Sequence, residues 1–471
     1  MIDEKLAFTP ASELAELIAT KQVSPVEVTQ LYFDRIDKLN SSLNAYLTLT
    51  YDDAMKAAKA AEDAVTRGGE LGPLHGVPIS IKDLEMTKDV RTTSGSLVYK
   101  DRIPEEDSVV VERVKKSGAV ILGKTNTPEF GLRGTTENRL GDACRNPWNT
   151  EHTPGGSSGG AGAAIVAGLC SLGTGSDGGG SIRIPASFCG IYGIKPTQGR
   201  IPRYSGRSAA SVANQFSQSG PMSRTVRDSA LLLQFLAGHD PRDPTSLREA
   251  VPNFVAAVDR DIRGLRIGFT PDYGFAAVDT EVAEVCSKAG AVFGELGCAV
   301  EDVDLKLDSP FEHFWPLFTA NSYASNGYLL DTDADKLTDY GREALENGAG
   351  VTGAEYAREL GYIDRLKAQF ADAFDMYDLI LSPTMAVPAF PIGQLPKRIA
   401  GREVDDWAYT PFTAAINMIG HPAASVPCGV SADDMPIGLH VIGRKGDEET
   451  VLAASAAFER ARPWTQRRPK V

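Results

Sequence analysis

Residues Gly155 to Arg183 read GGSSGGAGAAIVAGLCSLGTGSDGGGSIR, and the reading of this stretch decides the fold. Between Glu151 and Asp177 the chain carries no Asp, Glu, Lys or Arg, which imitates a membrane span. A spanning helix needs about 20 mostly apolar residues. Here glycine and serine crowd out all but a few bulky apolar side chains, so the stretch reads as buried, Gly-rich core. No membrane partner is expected.

Three well-known patterns fit this region and its flank, and they cannot all hold. Gly118-Ala-Val-Ile-Leu-Gly123-Lys124-Thr125 fits the Walker A pattern. A phosphate loop follows a strand and leaves its backbone free to wrap the ligand. Here a helical segment precedes Gly118, and Ala-Val-Ile-Leu favours a strand. Gly173-Thr-Gly175-Ser-Asp177-Gly178 fits Gly-x-Gly-x-x-Gly, but the dinucleotide fold wants an acid about 20 residues later for the ribose. No Asp or Glu occurs from Gly178 through Arg227. Gly155-Gly156-Ser157-Ser158-Gly159 fits the Gly-x-Ser-x-Gly nucleophile elbow. That reading makes Ser157 or Ser158 an esterase nucleophile with His421 or His440 as base; a hydrogen-bonded histidine on a strand is the plainer account of His440.

The elbow leaves the second block, Asp177-Gly178-Gly179-Gly180-Ser181-Ile182-Arg183, unexplained. Successive glycines remove Cβ atoms and let backbone N–H groups converge on one point, as an oxyanion hole requires. A serine directly after them has its hydroxyl beside that hole and needs a base. Lys82, on an apolar strand, is a candidate if burial makes it neutral. In water a lysine pKa of about 10.4 leaves roughly one in 2,500 neutral at pH 7.

The 471 residues are 42% hydrophobic and 23% charged, ordinary globular values that exclude a disordered or fibrous chain. Net charge is −14, which disfavours nucleic acid as a partner. The six cysteines (Cys144, Cys170, Cys189, Cys286, Cys298, Cys428) are scattered without a Cys-x-x-Cys pair, and the histidines stand apart. Free buried thiols, a cytoplasmic location and no metal or other cofactor are expected. Met1–Pro10 has no apolar run of the kind a secretion signal carries.

Helix signals fill the first 65 residues: Thr9-Pro10 as a start, a Ser24-Pro25-Val26-Glu27 capping box, and a helix over Ala54–Val65. Then Val77, Ile79 and Ile81 alternate with Pro78, Ser80 and Lys82, which is strand spacing. Helices over 107–117, 227–238, 280–296 and 448–462 alternate with strands over 119–122, 264–270, 379–382, 423–426 and 438–442. This indicates an α/β protein. We expect a single domain over 1–471, with a helical part at 1–65, a core at 66–230 and a C-terminal α/β part at 231–471.

Taken together, the Gly155–Arg183 stretch and Gly76-Val-Pro-Ile-Ser-Ile-Lys82-Asp83 resemble the amidase signature family. So do Gly123–Phe130, Thr136-Glu-Asn138, Arg145-Asn-Pro-Trp148, Gly193–Thr197, Gly220–Thr225 and Pro422–Pro427. The resemblance runs from about residue 9 to residue 464. It implies a single mixed, twisted sheet covered by helices on both faces, and a Ser–cisSer–Lys triad. Carried over position by position, Ser181 corresponds to the nucleophile, Ser157 to the serine on a cis peptide bond and Lys82 to the base. Gly178, Gly179 and Gly180 correspond to the oxyanion hole, and Ser158, Asp177 and Arg183 to supporting positions. One departure stands out: residue 178 is Gly where relatives usually carry Thr or Ile, which keeps the N–H but frees the loop.

Phe311, Phe314, Trp315 and Phe318 follow i, i+3, i+4, i+7 spacing. This is either a core-facing helix stripe or, with Phe130 and Gly131, the wall of a substrate pocket. Seven basic residues and no acid lie from Gly178 through Arg227, best read as solvated or ion-paired surface. The resemblance implies a hydrolase of non-peptide C–N bonds acting on a small-molecule amide, anilide or carbamate (urethane), with ester cleavage as a side activity, as a monomer or homodimer. The alternative within the family is the amidotransferase component that releases ammonia from glutamine. Tyr409–Asn417 and Phe458–Trp464 look more like the free bacterial amidases.

Overall fold

The structure is a computed structural model that describes residues 4–206 and 216–471; Arg207, one of the seven basic residues above, lies outside the described residues. Short runs of β-branched, glycine and other small residues form the strands β1 (Tyr46–Leu49), β2 (Pro78–Lys82), β3 (Val120–Thr125), β4 (Leu172–Asp177), β5 (Tyr192–Lys195), β6 (Gln218–Ser223), β7 (Arg266–Phe269), β8 (Ala299–Asp302) and β9 (Leu379–Pro383). A small ribbon, β10 (Arg398–Ile399) and β11 (Arg402–Glu403), precedes the long hairpin β12 (Ala423–Val430) and β13 (Pro436–Gly443). All but the ribbon join one sheet in the order β1-β3-β2-β4-β6-β5-β12-β13-β9-β7-β8. It is mixed: β3, β2 and β4 run parallel, as do β9, β7 and β8, and the strands between pair antiparallel.

Both faces of the sheet are covered. Side chains alternate across a strand, and Leu379 and Leu381 enter one hydrophobic cluster while Ile380 enters another; Val441 and Ile442 divide the same way. Covering both faces explains why β2 is buried along its whole length rather than at alternate positions. Its strand neighbours are β3 and β4, and the helices Pro25–Leu43 and Gly159–Val166 pack against it.

Ser24 caps Pro25–Leu43 through a complete capping box. Thr9 does not cap the first helix, Ala11–Ala19. Its leading N–H groups instead donate to a distant carboxylate, Ala11 and Ser12 to Asp228 at 2.9 Å each. The first 65 residues are also not wholly helical, because Tyr46–Leu49 adds an edge strand beside β3. The Gly-rich stretch is the wholly buried helix Gly159–Val166 followed by β4. The Walker look-alike ends in β3, and its Lys124 is fully buried, donating to Thr87 Oγ1 at 2.8 Å and Thr92 Oγ1 at 3.0 Å. The six cysteines are free thiols, and all but Cys428 are buried. Among the described residues no helix is long and apolar enough to cross a membrane.

Candidate active site

β2 and β4 run parallel, so their C-terminal ends, Lys82 and Asp177, open at the same edge of the sheet. Lys82 has no solvent exposure. Its Nζ donates to Ser157 Oγ at 2.8 Å, to Ser176 Oγ at 3.0 Å and to the Ser176 carbonyl at 3.2 Å. Burial disfavours the ammonium and brings the pKa down to about 7, against the opposing pull of Asp177 and Glu85. Asp83 faces away, as alternation along the strand predicts, and accepts the Thr93 N–H at 2.9 Å.

The Gly156–Ser157 peptide bond is cis. A side chain at Gly156 would begin 2.4 Å from the Thr135 carbonyl oxygen, so only glycine lets this turn lie against its neighbour. Ser158 ties the two glycine blocks together: its N–H donates to the Ser181 carbonyl at 3.1 Å, and its Oγ accepts the Ser176 N–H at 3.3 Å.

Beyond β4 the chain wraps around the Asp177 carboxylate, which accepts the N–H groups of Gly180 at 2.7 Å and Ile182 at 3.2 Å. This corrects the expectation for Gly180, because its N–H is engaged by Asp177 rather than left for an oxyanion. Gly178, Gly179 and Ser181 have no recorded N–H partner among the described residues. Arg183 Nε and Nη2 close a bidentate pair on Asp177, both at 2.9 Å. Burial alone would raise the Asp177 carboxyl, but the Arg183 charge holds it well below the usual carboxylate range.

Four further residues belong to this support; the sequence reading named His440, as a hydrogen-bonded strand histidine or an elbow base, and missed the other three. Asn417 accepts from Arg183 Nη2 at 2.6 Å and donates to Asp177 Oδ1 at 2.9 Å. Thr413 Oγ1 donates to the Gly179 carbonyl at 2.6 Å. His440 is fully buried, with Nε2 3.0 Å from Arg183 Nη1. Burial and the adjacent guanidinium push its pKa down, so it stays neutral and accepts. Ser176 is the fourth, through its contacts with Lys82. His421 stacks on Phe374 and holds the Gly443 carbonyl at 3.0 Å. Both histidines that the elbow reading offers as base are therefore engaged away from Ser157 and Ser158. Asn417 and Thr413 lie in the tail segment Tyr409–Asn417, whose likeness to the free amidases was their only sequence signal.

Ser181 opens into a narrow apolar cavity with Gly131, Gly179, Phe314, Trp315 and Phe318, joined by Phe311, Trp407 and Arg133. Its free volume is about 30 Å³, room for one or two waters, so a larger ligand requires lining side chains to move. Phe311 stacks on Trp407 at 4.9 Å and on Trp315 at 5.5 Å. Phe314 serves both readings of its spacing: it lines the cavity and packs in the core. Phe130 is not in the wall. Its backbone sits at φ +52°, and its ring turns instead to Tyr99 and the Leu329–Leu337–Leu345 cluster. At Gly178 a Cβ would sit 3.4 Å from the Phe318 ring.

Residues 27–452 match the family model described as Amidase. The chain is 37% identical to an acylamidase of Rhodococcus erythropolis, over all of this chain and 98% of the relative. It is 38% identical to a glutamyl-tRNA(Gln) amidotransferase component of Moorella thermoacetica, over 99% of each. Among solved structures it superimposes on a bacterial aryl acylamidase with a TM-score of 0.91 at 34% identity, covering 98% of this chain and 97% of that one. A 6-aminohexanoate cyclic dimer hydrolase gives a TM-score of 0.90 at 30% identity, covering 98% and 99%.

Proposed function

The chain belongs to the amidase signature family, hydrolases of C–N amide bonds, and on that basis we propose that it is a free-standing acylamide amidohydrolase working through Ser181, Ser157 and Lys82. The observation that carries this reading is the apolar, aromatic wall beside Ser181. Such a wall suits the acyl or aryl group of a small-molecule amide, anilide or carbamate. Among the described residues no acid lines it to meet the ammonium of glutamine, which an amidotransferase must hold.

In this reading the neutral Lys82 amine takes the Ser157 proton, and Ser157 takes the proton of Ser181. Ser181 Oγ then attacks the substrate carbonyl carbon. The oxygen gains negative charge and is met by the N–H groups of Gly178, Gly179 and Ser181. The C–N bond breaks as Ser157 gives a proton to the leaving nitrogen, and Lys82 restores the proton on Ser157. Water, deprotonated along the same relay, cleaves the Ser181 ester. Ser181 Oγ makes no recorded hydrogen bond among the described residues, so it is free to turn toward Ser157 and the substrate.

The test is a panel of anilides, primary amides, carbamates, esters and glutamine. Anilide or acylamide turnover exceeding glutaminase activity supports the proposal. Ammonia release from glutamine alone would assign the amidotransferase role instead.

A further inference from the structure

Arg133 separates two unlike spaces. On one side is the narrow aromatic cavity that contains Ser181. On the other is an open basin of about 550 Å³ lined by Glu137, Asn138, Arg139, Tyr340 and Arg342. The three arginines of this basin differ. Arg139 donates to the Leu337 carbonyl at 3.0 Å, and Arg342 donates to the Ala334 carbonyl at 2.6 Å, so both tie down the neighbouring loop. Arg133 makes no recorded hydrogen bond among the described residues. Its guanidinium lies over the Tyr340 ring at 5.2 Å and forms a loose ion pair with Glu137 at 3.7 Å, too long for a hydrogen bond. Glu137 meanwhile accepts a shorter bond from Thr135 Oγ1 at 3.0 Å. With Asp339 as the other acid, the basin carries three cations against two anions.

A guanidinium has five donors in a fork that fits a carboxylate. Here that fork is preset by an aromatic face, partly exposed, and shared by the reaction cavity. We propose that Arg133 is a specificity residue that binds a carboxylate carried by the substrate, beyond the apolar segment next to the scissile bond. This rests on the amidase reading of the site and narrows its substrate class. The preferred amides are those that place an apolar, ring-sized spacer against Phe311, Trp315 and Trp407 and a carboxylate at Arg133.

The experiment compares matched pairs of substrates that differ only in the carboxylate. One pair, acetanilide and 4-carboxyacetanilide, places it on the amine side; the other, propionyl and succinyl 4-nitroanilide, on the acyl side. The wild-type enzyme favours the carboxylated member of one pair, which identifies the side. R133Q lowers the ratio of kcat/KM between the two members by about 10- to 100-fold, the size of a charge-assisted hydrogen bond, mainly through KM. R133K recovers part of the ratio. Benzoate inhibits the wild type competitively, and R133Q weakens that inhibition by a similar factor.

Absence of any wild-type preference, or equal losses on both members in R133Q, overturns the proposal while leaving Ser181-dependent amide cleavage intact. If the wild type cleaves no amide at all, the functional reading falls first and this one with it.

Discussion

Arg183 grips Asp177 through both edges of its guanidinium, Nε to one carboxylate oxygen and Nη2 to the other, with both side chains fully buried. The pair sets the loop that carries Ser181, because Asp177 also holds the Gly180 and Ile182 N–H groups. Removing one partner leaves the other charge buried and alone, a loss of about 3–5 kcal/mol. R183M is therefore expected to unfold at markedly lower denaturant concentration than the wild type, measured by equilibrium urea titration. A midpoint within error of the wild type would show that Asp177 does not depend on this partner.

The base should titrate near neutrality. With Lys82 brought down to about 7 by burial, kcat/KM rises with pH and levels above that value, since only the unprotonated amine accepts a proton. K82A loses about 10²- to 10⁴-fold in turnover. K82R is nearly as poor, because a guanidinium does not deprotonate in proteins. Near-native rates in K82R would mean that residue 82 acts only as a fixed charge.

Linkage gives the same lysine a thermodynamic signature. Its folded pKa lies below its unfolded one, so between about pH 7 and pH 10 the unfolded chain binds more protons. Sign then requires that this group's contribution to stability rises with pH across that window. The stability difference between wild type and K82M should shift in favour of the wild type as pH increases from 7, as followed by denaturation at several pH values. A pH-independent difference would place the folded pKa near that of free lysine.

Acylation is assigned to Ser181 rather than Ser157. A fluorophosphonate probe should label the peptide that contains Ser181, and S181A should lose about a thousandfold or more in turnover. Labelling of Ser157 would revive the elbow reading. H421A should retain turnover, and its inactivity would argue the same way.

Two glycines three chain positions or fewer from Ser181 should respond oppositely to alanine. At Gly178 a Cβ meets the Phe318 ring at 3.4 Å and the Ser217 side chain at 3.6 Å, ordinary contacts, and φ is not positive, so G178A gains about 0.4–1 kcal/mol by restricting the unfolded chain. At Gly180, φ is +133° and a Cβ would lie 2.3 Å from Thr413 Oγ1. G180A should lose both stability and turnover. Thermal melts and kinetics of the two variants separate them, and similar behaviour would contradict the loop geometry.

Much of this was legible in the sequence where chemistry is written locally. Ser157, Ser181 and Lys82 stand in three dense motifs, and the structure brings Lys82 and Ser157 to hydrogen-bond distance. β2 shows as alternation and β9 as a short apolar run, while β4 and the helix before it are too rich in glycine to show either period. What stayed hidden depends on the third dimension. Sequence cannot tell which N–H groups of the loop turn toward Asp177, and those of Gly180 and Ile182 do. Nor does it reveal that a left-handed Phe130 points its ring away from Ser181, or that Trp407 and Arg133 arrive from distant segments to complete the cavity.

The burial of Lys82 has one more consequence. Its amine has no exposed surface, and among the described residues its hydrogen bonds run only to Ser157 and Ser176. In the proposed relay its proton would therefore reach bulk water by way of Ser157 and the Ser181 cavity. Once a substrate filled that cavity, the way out would be shut. The proton taken from Ser181 would then circulate in a sealed inventory until the departing nitrogen carried it off, which would make the leaving group the drain as well.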